Sequence, residues 1–410
     1  MIKKLITRSR YESFAGSSWP SYEEFQTGNY NSNSNIQKEI DEFIKLMHDE
    51  LKFLDNTEIN LKTSETSSWQ TKERPLTWNI VNHDLLYKRK IKNLPSSKSG
   101  IQTVCSKPFS NISIDFDGRI FLCDCPGWLP FPVGHVTEFN SAAEVFDHPT
   151  AIEIQNSILD KIYNFCDVDT CRLPKDGSTT IVRSPVRLYV GIDKSCNLTC
   201  PSCRERPLFF KEGEEVEKRK KWADHICNWI TADQTKSWTI IIGADGDPFV
   251  SYVYEYLLEK LQLLNNITFE FMTNGLFLKR QLSKLAPEFL SKIKSINVSI
   301  DAATEETYKI IRRGGNWKHL IENLEYLQEI SISNNIQTVG NLIIQEGNFT
   351  EAVGFVDLCK HYNMKPNLTL IEDWGTWHDF AKHAVHHSDH PRYSEFVKVF
   401  SDSKLQFFKP

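Results

Sequence analysis

Six short apolar runs recur between residues 186 and 371, each followed by a stretch of helical spacing. The runs are RLYVGID (187–193), SWTIIIG (237–243), ITFEFM (267–272), INVSID (296–301), QTVGNLII (337–344) and NLTLIE (367–372). Runs of this length, bounded by turn residues, read as buried strands. Between them, Trp222, Ala223, Ile226, Trp229 and Ile230 share one helical face, and Trp317, Leu320, Ile321, Leu324 and Leu327 share another. Asn348 with Glu351 three residues on suggests a capping box. Strand–helix alternation gives a parallel α/β architecture, because parallel strands need long crossovers. No G-x-G-x-x-G follows the first run, so a partial (β/α)6 barrel fits better than a doubly wound sheet. In barrels the chemistry sits at the C-terminal ends of the strands.

Around this core, 183–371, three further regions are expected. Residues 1–100 form an N-terminal helical extension: Ile36, Ile40, Phe43, Ile44, Met47, Leu51 and Leu54 recur at spacings of three and four. Residues 101–182 form a small α+β unit. In NISIDFDGRIFLCDC, alternating Ile112, Ile114 and Phe116 lead to an Asp117-Gly118 turn, then Ile120 and Leu122, which is a hairpin signal. A helical pattern follows over 142–163, carried by Ala142, Val145, Phe146, Ile158, Leu159 and Ile162. Residues 372–410 form a tail with a helix that closes the open side of the barrel.

The net charge of -5 supplies no basic field for nucleic acid. No secretory signal follows the first basic residues, and no run of about 18 apolar residues occurs, so a cytoplasmic protein without a membrane span is expected. In a reduced compartment, clustered cysteines read as metal or redox sites rather than disulfides. The chain has 10 cysteines. Cys227 and Cys359 lie at apolar helical positions and read as inert core residues. The other eight lie between Cys105 and Cys203.

Three of these form CNLTCPSC, with Cys196, Cys200 and Cys203 at C-x3-C-x2-C spacing directly after the first strand of the core. Soft thiolates select iron–sulfur clusters, zinc or Cu(I). Structural zinc wants four ligands, and no fourth Cys or His is close by. Three thiolates on a [4Fe–4S] cluster leave one iron open for a chelating small molecule. In this spacing and position the loop resembles the radical S-adenosylmethionine superfamily. The resemblance implies a [4Fe–4S] cluster that passes an electron to bound S-adenosylmethionine, yielding a 5′-deoxyadenosyl radical that abstracts substrate hydrogen. It also implies an external reductant such as flavodoxin or ferredoxin.

The same resemblance implies cofactor-binding roles after each strand. GADGDP (243–248) matches the glycine-rich segment that meets the methionyl amino group, through Gly243, Asp245, Gly246 and Asp247. Thr273 and Asn274 belong to a T-N-G turn. Ser299 and Asp301 would face cofactor or substrate. Arg312, four residues after Tyr308, would meet the methionyl carboxylate, which suits a guanidinium fork. Asn341 and Gln345, near the end of the fifth strand, would reach the ribose or the substrate.

The five upstream cysteines resemble the auxiliary-cluster modules called SPASM or twitch, placed here before the core. A single auxiliary [4Fe–4S] cluster is implied, on Cys105, Cys166, Cys171 and either Cys123, the better match, or Cys125. The alternative is a structural zinc site. Cys125 would otherwise be a free thiol near the cluster, able to give hydrogen to a carbon radical, and so is the candidate catalytic residue. In the tail, His383 and His387 at i, i+4 are a possible metal pair. The family analogy favours a ribosomal peptide as substrate, to be cross-linked, epimerised or oxidised. A sugar, an aminocyclitol or another small natural-product precursor comes second, and a non-catalytic iron–sulfur or zinc protein third.

Overall fold

The computed structural model describes residues 20–27, 35–42, 101, 103–124, 129, 131–166, 171, 180–204, 206–243, 246–372, 377 and 379–408. The chain falls into two compact units, Met1–Leu94 and Pro95–Pro410. In the first, a helix Tyr22–Thr27 starts at a Ser21/Glu24 capping box. A second helix runs over 35–42, with Ile40 fully buried. The expected helix positions from Phe43 to Leu54 lie outside the described residues.

The second unit is built on one mixed sheet of nine strands, in the order β3-β2-β1-β4-β5-β6-β7-β8-β9. The strands are β1 Asn111–Ile114, β2 Arg119–Phe121, β3 Gly134–His135, β4 Val186–Val190, β5 Trp238–Ile242, β6 Ile267–Thr273, β7 Ile293–Ser299, β8 Gln337–Ile344 and β9 Lys365–Leu370. From β4 to β9 the neighbours are parallel and spatial order equals sequence order. Such winding has no point of reversal. With right-handed crossovers the intervening helices all fall on one face. This is the order a six-stranded part-barrel needs, and β3 and β9 remain as edges.

Residue alternation shows which face the helices cover. Leu188, Ile240, Phe269, Val298 and Leu342 are buried, and Phe289 packs on Phe269 with ring centroids 4.7 Å apart. At Gly340 an added Cβ would lie 2.5 Å from Cys359 Sγ, on the helix Ala352–His361. Both Cys227 and Cys359 are buried, and burial pushes each thiol up to about 12. They are core residues, as their spacing predicts.

The hairpin forms at the expected turn. Gly118 has φ +80°, and Asp115 Oδ1 accepts from the N–H groups of Asp117 and Arg119. Its placement differs from a unit standing apart from the barrel: β1 pairs in parallel with β4, Asn111 opposite Arg187 through Ile114 opposite Val190. The strands of 101–182 therefore extend the sheet of the core. Trp229, fully buried on the helix Glu214–Ala232, donates to Phe139 O at 2.9 Å and ties the two regions together.

Two local expectations are corrected. The pattern over 142–163 is two helices, Ala142–Phe146 and Pro149–Leu159. Pro149 lacks an N–H and pushes His148 into extended geometry (ψ 140°), so the helix must restart. Asn348 and Glu351 form no capping box. Asn348 is fully buried and bonds Gln345 N, Asp301 O and Ile343 O instead. Glu351 caps another helix, Glu305–Ile311, by accepting from Ala303, Thr304 and Thr307.

Candidate active site

The cysteine loop leaves β4 through a buried polar clamp. Asp193 is fully buried; its Oδ1 accepts from Ser195 N at 2.6 Å and its Oδ2 from Ser251 Oγ at 2.7 Å. Tyr254, buried on the helix Tyr252–Leu261, donates to Val190 O at 2.9 Å and accepts from Asp193 N at 3.1 Å. Beyond the clamp, Cys196 pairs with Leu208 in an antiparallel bridge. The middle of the loop is held from the side: Thr199 N donates to Arg313 O at 2.9 Å, and Arg313 Nε donates to Thr199 O at 3.0 Å.

The loops after β5, β6 and β7 converge on this one. Asp247 N donates to Ser195 O at 2.8 Å. A Cβ at Gly246 would meet Ser195 O at 2.7 Å, and one at Gly243 (φ +120°) would meet Met272 O at 1.9 Å. Both glycines are needed for backbone approach to a neighbouring loop or strand. Asp247, expected to receive an ammonium group, is already committed. Its buried carboxylate accepts from Thr273 Oγ1 at 2.9 Å, Asn274 N at 2.7 Å and Phe249 N at 3.0 Å. Burial pushes its carboxyl up, and these three donors oppose the shift. Asp247 thus braces the β5 loop against the T-N-G turn. Asp245 lies outside the described residues.

Each sulfur of the loop meets a side-chain N–H. Asn274 Nδ2 lies 3.9 Å from Cys196 Sγ, Arg312 Nη1 3.7 Å from Cys200 Sγ, and Arg204 Nε 3.4 Å from Cys203 Sγ. Asn274 is also anchored to Asn197 Oδ1 at 2.9 Å, and Arg204 to Lys194 O at 2.7 Å. Burial pushes the Cys196 thiol up to about 11 and raises that of Cys200, against the pull of Arg312. Among the described residues, no group of three or more His, Cys, Asp or Glu is gathered as a single metal ion requires. A four-iron cluster puts each thiolate on a different iron and needs no such convergence. A soft donor set of three thiols, with a donor aimed at each, fits such a cluster.

Arg312 is placed differently from a free carboxylate clamp. Its Nη2 lies 2.6 Å from Asp301 Oδ2, both groups largely buried. Asp301 adopts φ +58°, unusual for a side-chain-bearing residue, and its Oδ1 accepts from Ile343 N at 2.7 Å. Close by, Arg312 Nε and Tyr308 Oη are buried without a hydrogen-bond partner. A carboxylate reaching Arg312 would meet that unused Nε, since one fork arm already holds Asp301.

The remaining candidates line the sheet. Alternation and register put Tyr189, Ile241, Glu270, Ser295 and Gln337 on one rung of the face opposite the helices, with Arg187, Thr239 and Thr268 on the next. Arg187 grips Glu270 with two bonds, 3.2 and 2.9 Å, and also reaches Tyr189 Oη at 3.3 Å. Ser299 ends β7, opposite Asn341 of β8. Asn341 Oδ1 accepts from Asn367 at 2.8 Å, while its Nδ2 is buried without a partner. Gln345, at 3% exposure, is turned into the protein just beyond β8. This face is far more polar than a parallel strand ordinarily shows, so it is not an apolar packing surface.

The upstream cysteines share one neighbourhood. Lys107 lies in the electrostatic field of Cys105, Cys123 and Cys171, and Tyr163 in that of Cys105, Cys166 and Cys171. Burial lowers the Lys107 ammonium, and the thiolates oppose that shift. Cys123 and Cys171 are buried, and all nine described cysteines are free of disulfides. Cys125 lies outside the described residues. In the tail, His383 and His387 do not form a helical pair. The local element is a short 3-10 turn, Phe380–Lys382; His383 stacks on Trp377 at 3.6 Å, and His387 meets Phe380 edge-on. The helix Tyr393–Phe400 packs by Phe396 against Phe349, beyond the end of β8. No helix among the described residues is long and apolar enough to cross a membrane.

Asp193, Ser251, Tyr254, Asn197, Arg204 and Arg313 were not legible as site residues. Arg204 carried a signal, since it follows the last cysteine of the loop directly. Ser251 and Tyr254 carried none, because only the crossover brings them under Asp193.

Residues 193–358 match the family model described as Radical SAM superfamily, so this part of the chain is a radical SAM domain. Among curated relatives, the chain is 24% identical over 177 residues to a GTP 3′,8-cyclase of Clostridium botulinum (strain Okra / Type B1), covering 43% of this chain and 53% of the relative. It is 24% identical over 193 residues to a probable GTP 3′,8-cyclase of Archaeoglobus fulgidus, covering 46% and 61%. The chain thus spans about half the length of the curated relatives it matches. A solved structure described as native anSMEcpe with bound AdoMet aligns over 46% of this chain and 51% of that one, at 18% identity and a TM-score of 0.32.

Proposed function

We propose that the chain is a radical S-adenosylmethionine enzyme whose [4Fe–4S] cluster is held by Cys196, Cys200 and Cys203. The carrying observation is the loop itself: three thiols, each facing an N–H donor, bracketed by the loops after β5, β6 and β7. Bound there, cluster and cofactor would supply reductive cleavage of a C–S bond and a radical able to take an unactivated hydrogen. The protein's own work is positioning and exclusion of water. Asp193 and Tyr254 fix the start of the loop, and Asp247 fixes the glycine-rich segment. Arg312 Nε, Tyr308 Oη and, at the end of β8, Asn341 Nδ2 are buried groups left to bind a polar ligand. The substrate would lie over the polar sheet face between Arg187 and Asn341. A peptide, with its many amide groups, suits that face. An auxiliary cluster on Cys105, Cys123, Cys166 and Cys171 belongs to the same reading, with flavodoxin or ferredoxin as reductant.

A second reading takes a purine nucleotide as substrate. It is favoured by the names of the curated relatives, which match over 53% and 61% of their own length. The test is anaerobic reconstitution with reductant and S-adenosylmethionine. Wild type should form 5′-deoxyadenosine and Cys200→Ala should not; equal behaviour of the two would sink the reading. Deuterium transfer into 5′-deoxyadenosine from labelled peptide or labelled GTP then chooses the substrate class. About eight irons per chain supports two clusters, whereas about four, with zinc retained, removes the auxiliary one.

A further inference from the structure

We propose that Asn274, Arg204 and Arg312 set the reduction potential of the cluster by donating to its three sulfurs, with Asp301 tempering the charge that Arg312 presents. The inference rests on the proposed cluster and extends it to how readily that cluster takes an electron. The three donors come from three different parts of the fold. Asn274 follows β6, Arg204 ends the cysteine loop, and Arg312 follows the helix Glu305–Ile311. Each meets a different sulfur, at 3.9, 3.4 and 3.7 Å respectively. Two of the three carry a permanent positive charge.

Cluster potentials depend on hydrogen bonds to the sulfurs, net charge and solvent exposure. Reduction adds negative charge, which N–H donors and guanidinium groups favour. The donor set therefore pulls the potential upward. Asp301 acts in the opposite sense. Its carboxylate lies 2.6 Å from Arg312 Nη2, while the other arm, Nη1, meets Cys200 Sγ. The pair places one cation and one anion near a single sulfur. Removing either charge should then move the potential in opposite directions, which a purely structural role for these residues would not do.

The experiment is a redox titration, followed by electron paramagnetic resonance, of the full-length protein reconstituted anaerobically without S-adenosylmethionine. Arg204→Gln and Arg312→Gln should each lower the midpoint. A tenfold fall in the reduced-to-oxidised ratio at the wild-type midpoint corresponds to about 59 mV for a one-electron couple. Asp301→Asn should raise it. Asn keeps an oxygen for Ile343 N–H and tolerates the left-handed backbone. This variant leaves every sulfur donor in place, so it carries the test if an arginine variant loses iron. A midpoint unchanged or lowered in Asp301→Asn overturns the proposal. A wild type that takes up no iron would instead refute the cluster reading beneath it.

Discussion

Asp247 offers the sharpest test of how the site is held. In Asp247→Ala, the N–H groups of Asn274 and Phe249 and the Thr273 hydroxyl lose a buried acceptor together. A buried polar group left unsatisfied costs about 1–3 kcal/mol. The two amides alone set the loss at about 2–6 kcal/mol, and relief of the carboxylate's own desolvation keeps it in the lower half. A loss of about 3 kcal/mol lowers Tm by roughly 6–12 °C in a domain of this size. Asp247→Asn retains one oxygen, which can serve Thr273 and Asn274 as Oδ2 does now, so it should recover more than half of the loss. Thermal unfolding by circular dichroism measures both variants. Hydrogen exchange at the Asn274 and Phe249 amides locates the damage, which should fall on the β5 and β6 loops. An alanine variant that melts within about 2 °C of wild type, with protected amides, would refute the bracing role.

Gly340→Ala should destabilise by about 1–3 kcal/mol through overpacking, because its Cβ would lie 2.5 Å from Cys359 Sγ. Adding Cys359→Ala should restore most of that, and chemical denaturation of the double-mutant cycle reads the coupling. Glu270 gives a pH signature. Burial acts to raise its carboxyl, but the bonds from Arg187 and Lys294 outweigh this and hold it below its ordinary value. Its folded value is depressed, so its contribution is present above the unfolded value of about 4.3 and is lost as pH falls through the folded one. The stability gap between wild type and Glu270→Gln should therefore shrink as pH falls below about 5 and close once the depressed folded value is passed; a gap that stays constant on acidification would contradict the pairing. Trp229→Phe should cost about 1–3 kcal/mol by stranding the Phe139 carbonyl, measured as a shift in urea midpoint.

The core strands were legible because the helix-facing positions of each are apolar and buried and turn residues bound each run. The six runs coincide with β4 to β9 to within a few residues. The 142–163 pattern misled because apolar spacing continues across Pro149, while the backbone cannot. Asn348 and Glu351 matched a capping motif in spacing alone. Asn348 was recruited by Asp301 and Glu351 by Thr304, each distant in sequence and adjacent only across the β7 and β8 loops.

By itself the sequence determined the parallel α/β core, the position of the cysteine loop after its first strand, and the soft three-thiol donor set that the loop carries. Those depend on local spacing and residue chemistry. Only the tertiary structure decided that the hairpin joins the core sheet beside β4, that Asp247 is a brace, and that Arg312 is shared between Asp301 and Cys200. Such assignments depend on which loops the crossovers bring together, and a buried polar side chain answers to whichever donor or acceptor arrives beside it.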